Sequence, residues 1–334
     1  MRMISVIYTQ QVQKGRCEKT QLSFFTSPFF HILKKSEKIQ MNQVRHWIGF
    51  EENMDRLGDR DQPVGVCILD SGVEAHPDFG KRIVLFRDFV EERQGLYDDY
   101  GHGTHIAGIS SGSGLRSKGR YRGIAAHSNL IIGKVLNHQG DGRIEDFIAA
   151  IYWCMQMQEK FHIRILNISV GLIKSVAKDW QRDLLGAVEA AWDKGIVTVC
   201  AAGNNGPGKG SVTIPGTQPK VITVGSADYR QGTFSPSDYS GRGPTADCVK
   251  KPEIYAPGSN ITSCSKQGWY VKKTGTSMSV PVVTGAIALL LQQEPYLSPV
   301  DVKLRLYERA KRGHMDGGGN WGTIYLPTLL DTKQ

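Results

Sequence analysis

From residue 60 onward, short apolar runs alternate with longer amphipathic ones. The runs at 64–70, 130–136, 163–168, 196–202 and 221–226 are strand-length and rich in Val, Ile and Leu with little polar alternation, as in strands buried on both faces. Between and after them, 102–111, 144–159, 178–194, 277–293 and 298–310 carry helical patterns, and Ser298-Pro299 supplies the last with a cap and a first-turn proline. This alternation predicts an α/β fold: a doubly wound, mostly parallel sheet with helices on both faces. Sites of such sheets lie at the carboxyl ends of the strands.

Three segments carry candidate chemistry. In Gly275-Thr-Ser277-Met-Ser279-Val-Pro281, a serine follows a tight turn and opens the apolar run Val282–Leu291. The first N–H groups of a helix lack intrahelical acceptors, so a hydroxyl there faces a favourable place for a developing anion. On this stretch alone an N-cap role is the commoner explanation, and Pro281 is tolerated only near the helix start. Val64–Gly72 is a β-rich run ending in Asp70 and a turn, and Asp99-Tyr-Gly-His102-Gly-Thr-His105-Ile-Ala-Gly108 sets two histidines at i and i+3 among small residues. Asp, His and Ser in that chain order is one arrangement of acid, base and nucleophile, distinct from the Ser, Asp, His order of α/β-hydrolases. Gly203–Gly210 nearly spells a phosphate loop, but glycine at 210 replaces the hydroxyl residue that magnesium needs.

With Asn167-Ile-Ser-Val-Gly171 and Ala201-Ala-Gly-Asn204-Asn-Gly206 between them, these segments resemble the motifs of the subtilisin-type serine proteases (subtilases), over about residues 60–330. Ser-Gly-Arg-Gly-Pro at 240–244 and Lys-Pro-Glu-Ile-Tyr-Ala-Pro-Gly at 251–258 are most similar to the bacterial intracellular branch. The resemblance implies a subtilisin-like three-layer sandwich and an endopeptidase that acts on extended polypeptide through an acyl-enzyme. It implies Ser277 as nucleophile, His102 as base and Asp70 as the acid that orients the imidazole, with the Asn204 amide and the Ser277 N–H as oxyanion donors. His105 becomes a packed helix residue, and a metal-binding histidine pair is disfavoured because no His-Glu-x-x-His set accompanies it. Substrate would pair as an added strand with Ser169, Val170 and Gly171 and with Gly140, Asp141 and Gly142, unless these are plain loop and strand edge. Ile144 and Phe147 are expected near an outer subsite, and Asp141 suggests tolerance of a basic side chain.

Some positions depart from the family pattern. Where many secreted members carry an Asn-rich calcium loop, Ser110–Arg120 has only positive charges, which suits no hard cation. Asp78 matches one ligand position, but a lone carboxylate is more often a turn residue; no metal and no other cofactor is expected. Ser279 stands where alanine is usual, and Ile214-Pro215 where a cis peptide is frequent. A non-catalytic peptide-binding protein is the alternative, and the intact catalytic positions favour the enzyme.

Composition narrows the setting. With 334 residues, 40% apolar and 22% charged, the chain can bury one sizeable core. Its net charge of +9 is not gathered into a Lys/Arg strip interleaved with aromatics, so no nucleic-acid partner is expected. Nor is there a run of about 18 apolar residues, so no membrane span is expected. Residues 1–59 read as an N-terminal extension, partly disordered or processed, and 60–330 as the peptidase domain. Leu22–Leu33 approaches a signal core, but Pro28 interrupts it and Lys34-Lys-Ser-Glu-Lys follows in place of a cleavage site. The six cysteines form no Cys-x-x-Cys pair, and the expected location is cytoplasmic. The resemblance leaves no room for a prodomain, so Met41 is a candidate start and self-cleavage near 40–60 a candidate control. The partner is a polypeptide substrate, and oligomeric state stays open.

Overall fold

The computed structural model describes residues 40–58, 62–171, 177–230, 233–312 and 321–331. Its centre is a sheet of β1 (Gly65–Asp70), β2 (Ile83–Asp88), β3 (Asn129–Lys134), β4 (Ile163–Ile168), β5 (Val197–Ala201), β6 (Ile222–Arg230), β7 (Thr233–Pro236), β8 (Ile254–Ala256) and β11 (Gly322–Thr323). The order is β11-β8-β6-β5-β4-β1-β3-β2, with β7 folded back on β6. Every pair along that path is parallel; only the β6–β7 pair is antiparallel. β9 (Ile261–Cys264) and β10 (Tyr270–Lys273) make a separate antiparallel hairpin. The chain lays β2 and β3 to one side of β1 and crosses to the other side for β4. That reversal puts the topological switch point at β1, where crevices of doubly wound sheets open.

Period-two alternation distributes the strand side chains between two cores. Val66, Ile68, Leu130 and Ile132 face the core covered by α1 (Met41–Trp47), α2 (Gly103–Ser111), α5 (Thr276–Gln293), α6 (Pro299–Arg309) and α7 (Leu326–Leu329). Cys67, Leu69 and Ile131 face the opposite core, covered by α3 (Ile144–Met157) and α4 (Lys178–Asp193). α5 is the axle of the first core, with 16 of its 18 residues buried. It alone among the described residues is long and apolar enough to cross a membrane, with mean hydropathy 1.2, and it is 89% buried inside the protein.

The five expected strands and five expected helices all form, with ends moved by no more than four residues. β2 was missed because it is the sheet's edge strand, half-buried along most of its length. α5 runs unbroken through Pro281, which removes only the N–H that would have bonded the Ser277 carbonyl.

Residues 40–58 are not a loose tether. Met41, Val44 and Ile48 are fully buried in the α5 core, and the Ile48 carbonyl accepts the Leu326 N–H at 2.8 Å. A 3-10 segment at Glu52–Gly58 follows, and its Asp55 binds Arg45 and Arg122 at 3.0 and 3.1 Å. The Leu22–Leu33 run and Cys17 lie outside the described residues, as do positions 59–61 of the candidate self-cleavage region.

Candidate active site

β1 delivers Asp70 to the carboxyl edge of the sheet, fully buried. Its two carboxylate oxygens stand 2.8 and 2.9 Å from His102 Nδ1, and Oδ1 also accepts the Ser71 N–H at 2.7 Å. Because Nδ1 faces a carboxylate, it carries the proton, and Nε2 is left as the acceptor. His102 is the N-cap of α2, and the turn is tight enough that a Cβ on Gly103 would meet the Gly72 carbonyl at 2.1 Å. Only glycine fits there.

A second carboxylate holds the turn. Asp98 accepts from Ser71 Oγ, Gly101 N–H, Thr104 N–H and Thr104 Oγ1 at 2.6–2.8 Å. Ser71 Oγ in turn receives the N–H groups of His102 and Gly103 at 3.2 and 2.9 Å. Burial opposes the charge on Asp98, but the hydrogen bonds from Thr104, Gly101 and Ser71 outweigh it and hold the carboxyl below its usual range. Its neighbour Asp99 instead pairs at 2.7 Å with Lys134, a fully buried lysine whose ammonium also donates to the Ser71 and Leu136 carbonyls at 2.9 and 2.6 Å. Sequence reading missed both Asp98 and Lys134. The signal for Lys134 is a single charge inside the apolar run Leu130–Leu136; for Asp98, an acidic residue set before a glycine-flanked helix start.

His105 is the packed residue expected. It is fully buried, and Nε2 donates to both the Ile261 and Val271 carbonyls at 3.1 Å, stapling the β9–β10 hairpin onto α2. Burial, with the nearby charge of Lys273, pushes its pKa well below the ordinary value, so it remains neutral.

On the other flank, Gly275 takes φ 150° and opens α5, placing Ser277 half-buried in the first turn. Asn204, three residues beyond β5, accepts the Thr276 N–H and hydroxyl on Oδ1 at 2.9 and 3.1 Å. A backbone N–H can only donate, so the atom facing it is the amide oxygen, and the NH₂ end points away with no acceptor among the described residues. That NH₂ lies against Gly275, where a Cβ would come within 3.0 Å of Nδ2. Among the described residues neither Ser277 Oγ nor His102 Nε2 makes a hydrogen bond, so the structure joins Asp70 to His102 and does not join His102 to Ser277.

The two expected substrate strips leave the ends of strands on either side of β1. Ser169, Val170 and Gly171 follow β4 directly; Asn167 Nδ2 donates to Ser169 Oγ at 2.9 Å while its Oδ1 accepts from Thr284 on α5. Thr213 ties this strip to the Asn204 loop, since a Cβ on Gly171 would meet its Oγ1 at 2.2 Å and one on Gly203 its Cγ2 at 2.5 Å. Gly140, Asp141 and Gly142 follow β3 in a turn closed on Asn137, whose Oδ1 accepts the Asp141 N–H at 3.0 Å. Ile144 and Phe147 depart from expectation: at 0% and 1% exposed, both point into the α3 core and offer no side-chain surface to an outer subsite. The Gly203–Gly210 segment leads into β6 with no helix after it, so it lacks the helix N-terminus on which a phosphate loop depends. Asp78 is not a lone turn carboxylate either, being fully buried and bonded to Arg116 N–H and Tyr270 Oη at 2.9 and 2.8 Å. Ile214–Pro215 is cis.

Comparison with known proteins gives one family. The model of the Subtilase family, Peptidase_S8, matches residues 61–322. Serine protease AprX of Bacillus subtilis (strain 168) is 42% identical over 262 residues, which are 72% of this chain and 59% of that protein. The intracellular serine protease of Paenibacillus polymyxa is 34% identical over 241 residues, 70% of this chain and 68% of that one. The chain therefore spans about six tenths of AprX. Among solved structures, a cold adapted subtilisin-like serine proteinase superposes with TM-score 0.66 at 30% identity, covering 81% of this chain and 96% of that chain. Sphericase does so with TM-score 0.68 at 29% identity, covering 85% and 94%.

Proposed function

The chain belongs to the subtilase family, and from that premise we propose that it is a serine endopeptidase whose catalytic set is Asp70, His102 and Ser277. The observation that carries this reading is the buried Asp70–His102 pair, which fixes the proton on Nδ1 and leaves Nε2 a proton acceptor. Ser277 attacks the peptide carbonyl as His102 Nε2 takes its proton; His102 then returns the proton to the leaving amine, and water repeats the sequence on the acyl-enzyme. Asp70 stabilises the imidazolium without taking its proton. The oxyanion is received by Asn204 Nδ2, whose oxygen is already committed to Thr276, and by the unsatisfied Ser277 N–H at the helix start. An extended substrate pairs with Ser169–Gly171 and Gly140–Gly142, and Asp141 favours a basic side chain near its strip. The buried free thiols of Cys67, Cys154, Cys200 and Cys264 support a cytoplasmic location, which cell fractionation tests.

A second reading, a peptide-binding protein without turnover, draws on the absent Ser277–His102 hydrogen bond. Catalytic hydrogen bonds are often loose before substrate binds, so that observation weighs less than the acid–base pair. Labelling the purified protein with a fluorophosphonate and mapping the adduct separates the two. The enzyme is modified at Ser277, and both Ser277→Ala and His102→Ala abolish the adduct; a folded wild type that stays unlabelled removes the proposal.

A further inference from the structure

Outside the candidate active site, three metal-ligating side chains from separate segments meet in the interior. His76 and Asp78 lie in the loop between β1 and β2, six and eight residues beyond Asp70; Cys264 ends β9, thirteen residues before Ser277. They are 2%, 0% and 0% exposed, and their ligand atoms lie within 4.8 Å of one another. We propose that His76, Asp78 and Cys264 form a binding site for a thiophilic divalent metal ion, zinc being the best match.

The distances carry the first part of the case. Tetrahedral zinc with ordinary bond lengths sets sulfur and carboxylate ligands about 3.6 Å apart, and nitrogen and carboxylate ligands about 3.4 Å apart. The Cys264 S–H donates to Asp78 Oδ2 at 3.6 Å, a separation the ligands would keep once the ion replaces that proton, and His76 Nδ1 stands 3.9 Å from the same oxygen. Closing the set takes a shift of about half an ångström at the imidazole, and the 4.8 Å bound on the His76–Cys264 separation leaves a closure there of up to about 1.2 Å. Each ligand comes from a loop or a strand end, where such shifts cost least.

The orientation of the ligands carries the second part. His76 Nε2 lies 3.2 Å from the Trp269 carbonyl, which can only accept, and Nδ1 accepts the Asp78 N–H at 3.1 Å. The imidazole is therefore locked with its proton on Nε2, donated to a backbone carbonyl as in a metal-bound histidine, while its Nδ1 lone pair is held by the Asp78 N–H, a hydrogen bond that the ion would replace. The carboxylate is oriented by Arg116 N–H on Oδ1 at 2.9 Å and by the Tyr270 hydroxyl on Oδ2 at 2.8 Å.

Charge gives the third part. Arg82 donates to the carbonyls of Asp78 and Ser111 at 2.5 and 2.7 Å and opposes an uncompensated cation. The Asp78 carboxylate with a Cys264 thiolate supplies two negative charges and cancels a dication. On binding, the Cys264 S–H proton is released to solvent and the thiolate forms the metal–sulfur bond. A hard ion such as calcium is excluded by the sulfur and nitrogen donors and by the small number of oxygens. The ion would clamp the loop that follows Asp70 to the hairpin that leads into Ser277.

The test uses the full-length protein carrying Cys248→Ser, to remove an exposed thiol, together with Cys17→Ser. Cobalt(II) added to this chelator-treated protein should bind at one equivalent and give sulfur-to-cobalt charge-transfer absorption, and Cys264→Ser should remove that absorption. Zinc at a hundredfold excess over its Kd should raise Tm by roughly 5–10 °C in this background and leave Cys264→Ser unmoved. X-ray absorption of the zinc-loaded background protein, which needs no core substitution, should show one sulfur neighbour at about 2.3 Å. Absence of cobalt absorption, its persistence in Cys264→Ser, or a zinc environment of oxygen and nitrogen alone would overturn the proposal. None of these readouts depends on peptidase activity.

Discussion

The two flanks of the candidate active site are built by different means. On the acid–base flank, the hydroxyl of Ser71, the carboxylates of Asp98 and Asp99 and the ammonium of Lys134 form a buried charged network behind Asp70 and His102. On the nucleophile flank, position is set by the φ 150° of Gly275, the start of a buried helix and one side-chain clamp from Asn204 to Thr276. The reason is chemical. An imidazole that must change charge needs compensating groups fixed in advance, whereas a hydroxyl needs only to be aimed and left unbonded. Stability and catalysis should therefore be coupled on the first flank and separable on the second.

The largest effect that can break this contrast comes from the two central residues. Ser277→Ala should lower kcat by about 10⁶-fold, a magnitude known from subtilisin itself, with stability changed by no more than about 0.5 kcal/mol. His102→Ala should lose turnover to a similar degree and in addition destabilise by roughly 3 kcal/mol, because it leaves the Asp70 charge buried without its partner. Peptide hydrolysis and urea unfolding on the same samples check both, and equal stability losses would contradict the contrast. Next comes Asn204→Ala, expected to cost about 10²–10³ in kcat, again a subtilisin magnitude, with little change in KM. A loss confined to KM would assign Asn204 to substrate binding.

Asp98→Ala should destabilise by roughly 2–4 kcal/mol in urea unfolding, since four donors lose their acceptor. Its pH dependence has a definite sign. The native pKa lies below the unfolded one, so the stabilisation is complete above the ordinary carboxylate value near 3.9 and is lost as pH falls through the lower native value. Wild type and Asp98→Asn should thus converge in stability as pH falls below that value and differ most near neutrality; a gap that persists in acid would show a neutral hydrogen-bonding role. The smallest effect is that of Asp141→Ala, expected to reduce cleavage near basic side chains by less than about tenfold, consistent with a partly exposed charge. An unchanged cleavage profile would remove Asp141 from the site.

The sequence by itself determined the α/β class, five strands and five helices, and its resemblance to the subtilases implied the candidate site residues. Buried parallel strands are continuous apolar runs, and Asp70, His102, Asn204 and Ser277 sit where such runs or helices begin or end. The resemblance to the subtilases implied that His105 is a packed helix residue and not the base, and it lies one turn into α2, buried there. Only the tertiary structure decided the rest. The half-buried edge strand β2 carries no clear pattern, and Ile144 and Phe147 have the same apolar character whether they line a pocket or fill a core. Met41 and Val44 read as part of an extension, partly disordered or processed, until α5 and Leu326 are folded beside them. Asp98 and Lys134 look like ordinary charges until Ser71, Thr104 and Leu136 surround them, and Asp78 looks solitary until Cys264, 186 positions away, arrives at 3.6 Å. Local pattern records which way a side chain faces, but a charge network or a metal site is defined by what faces it from elsewhere in the chain, and those partners exist only once the sheet has brought its strand ends together.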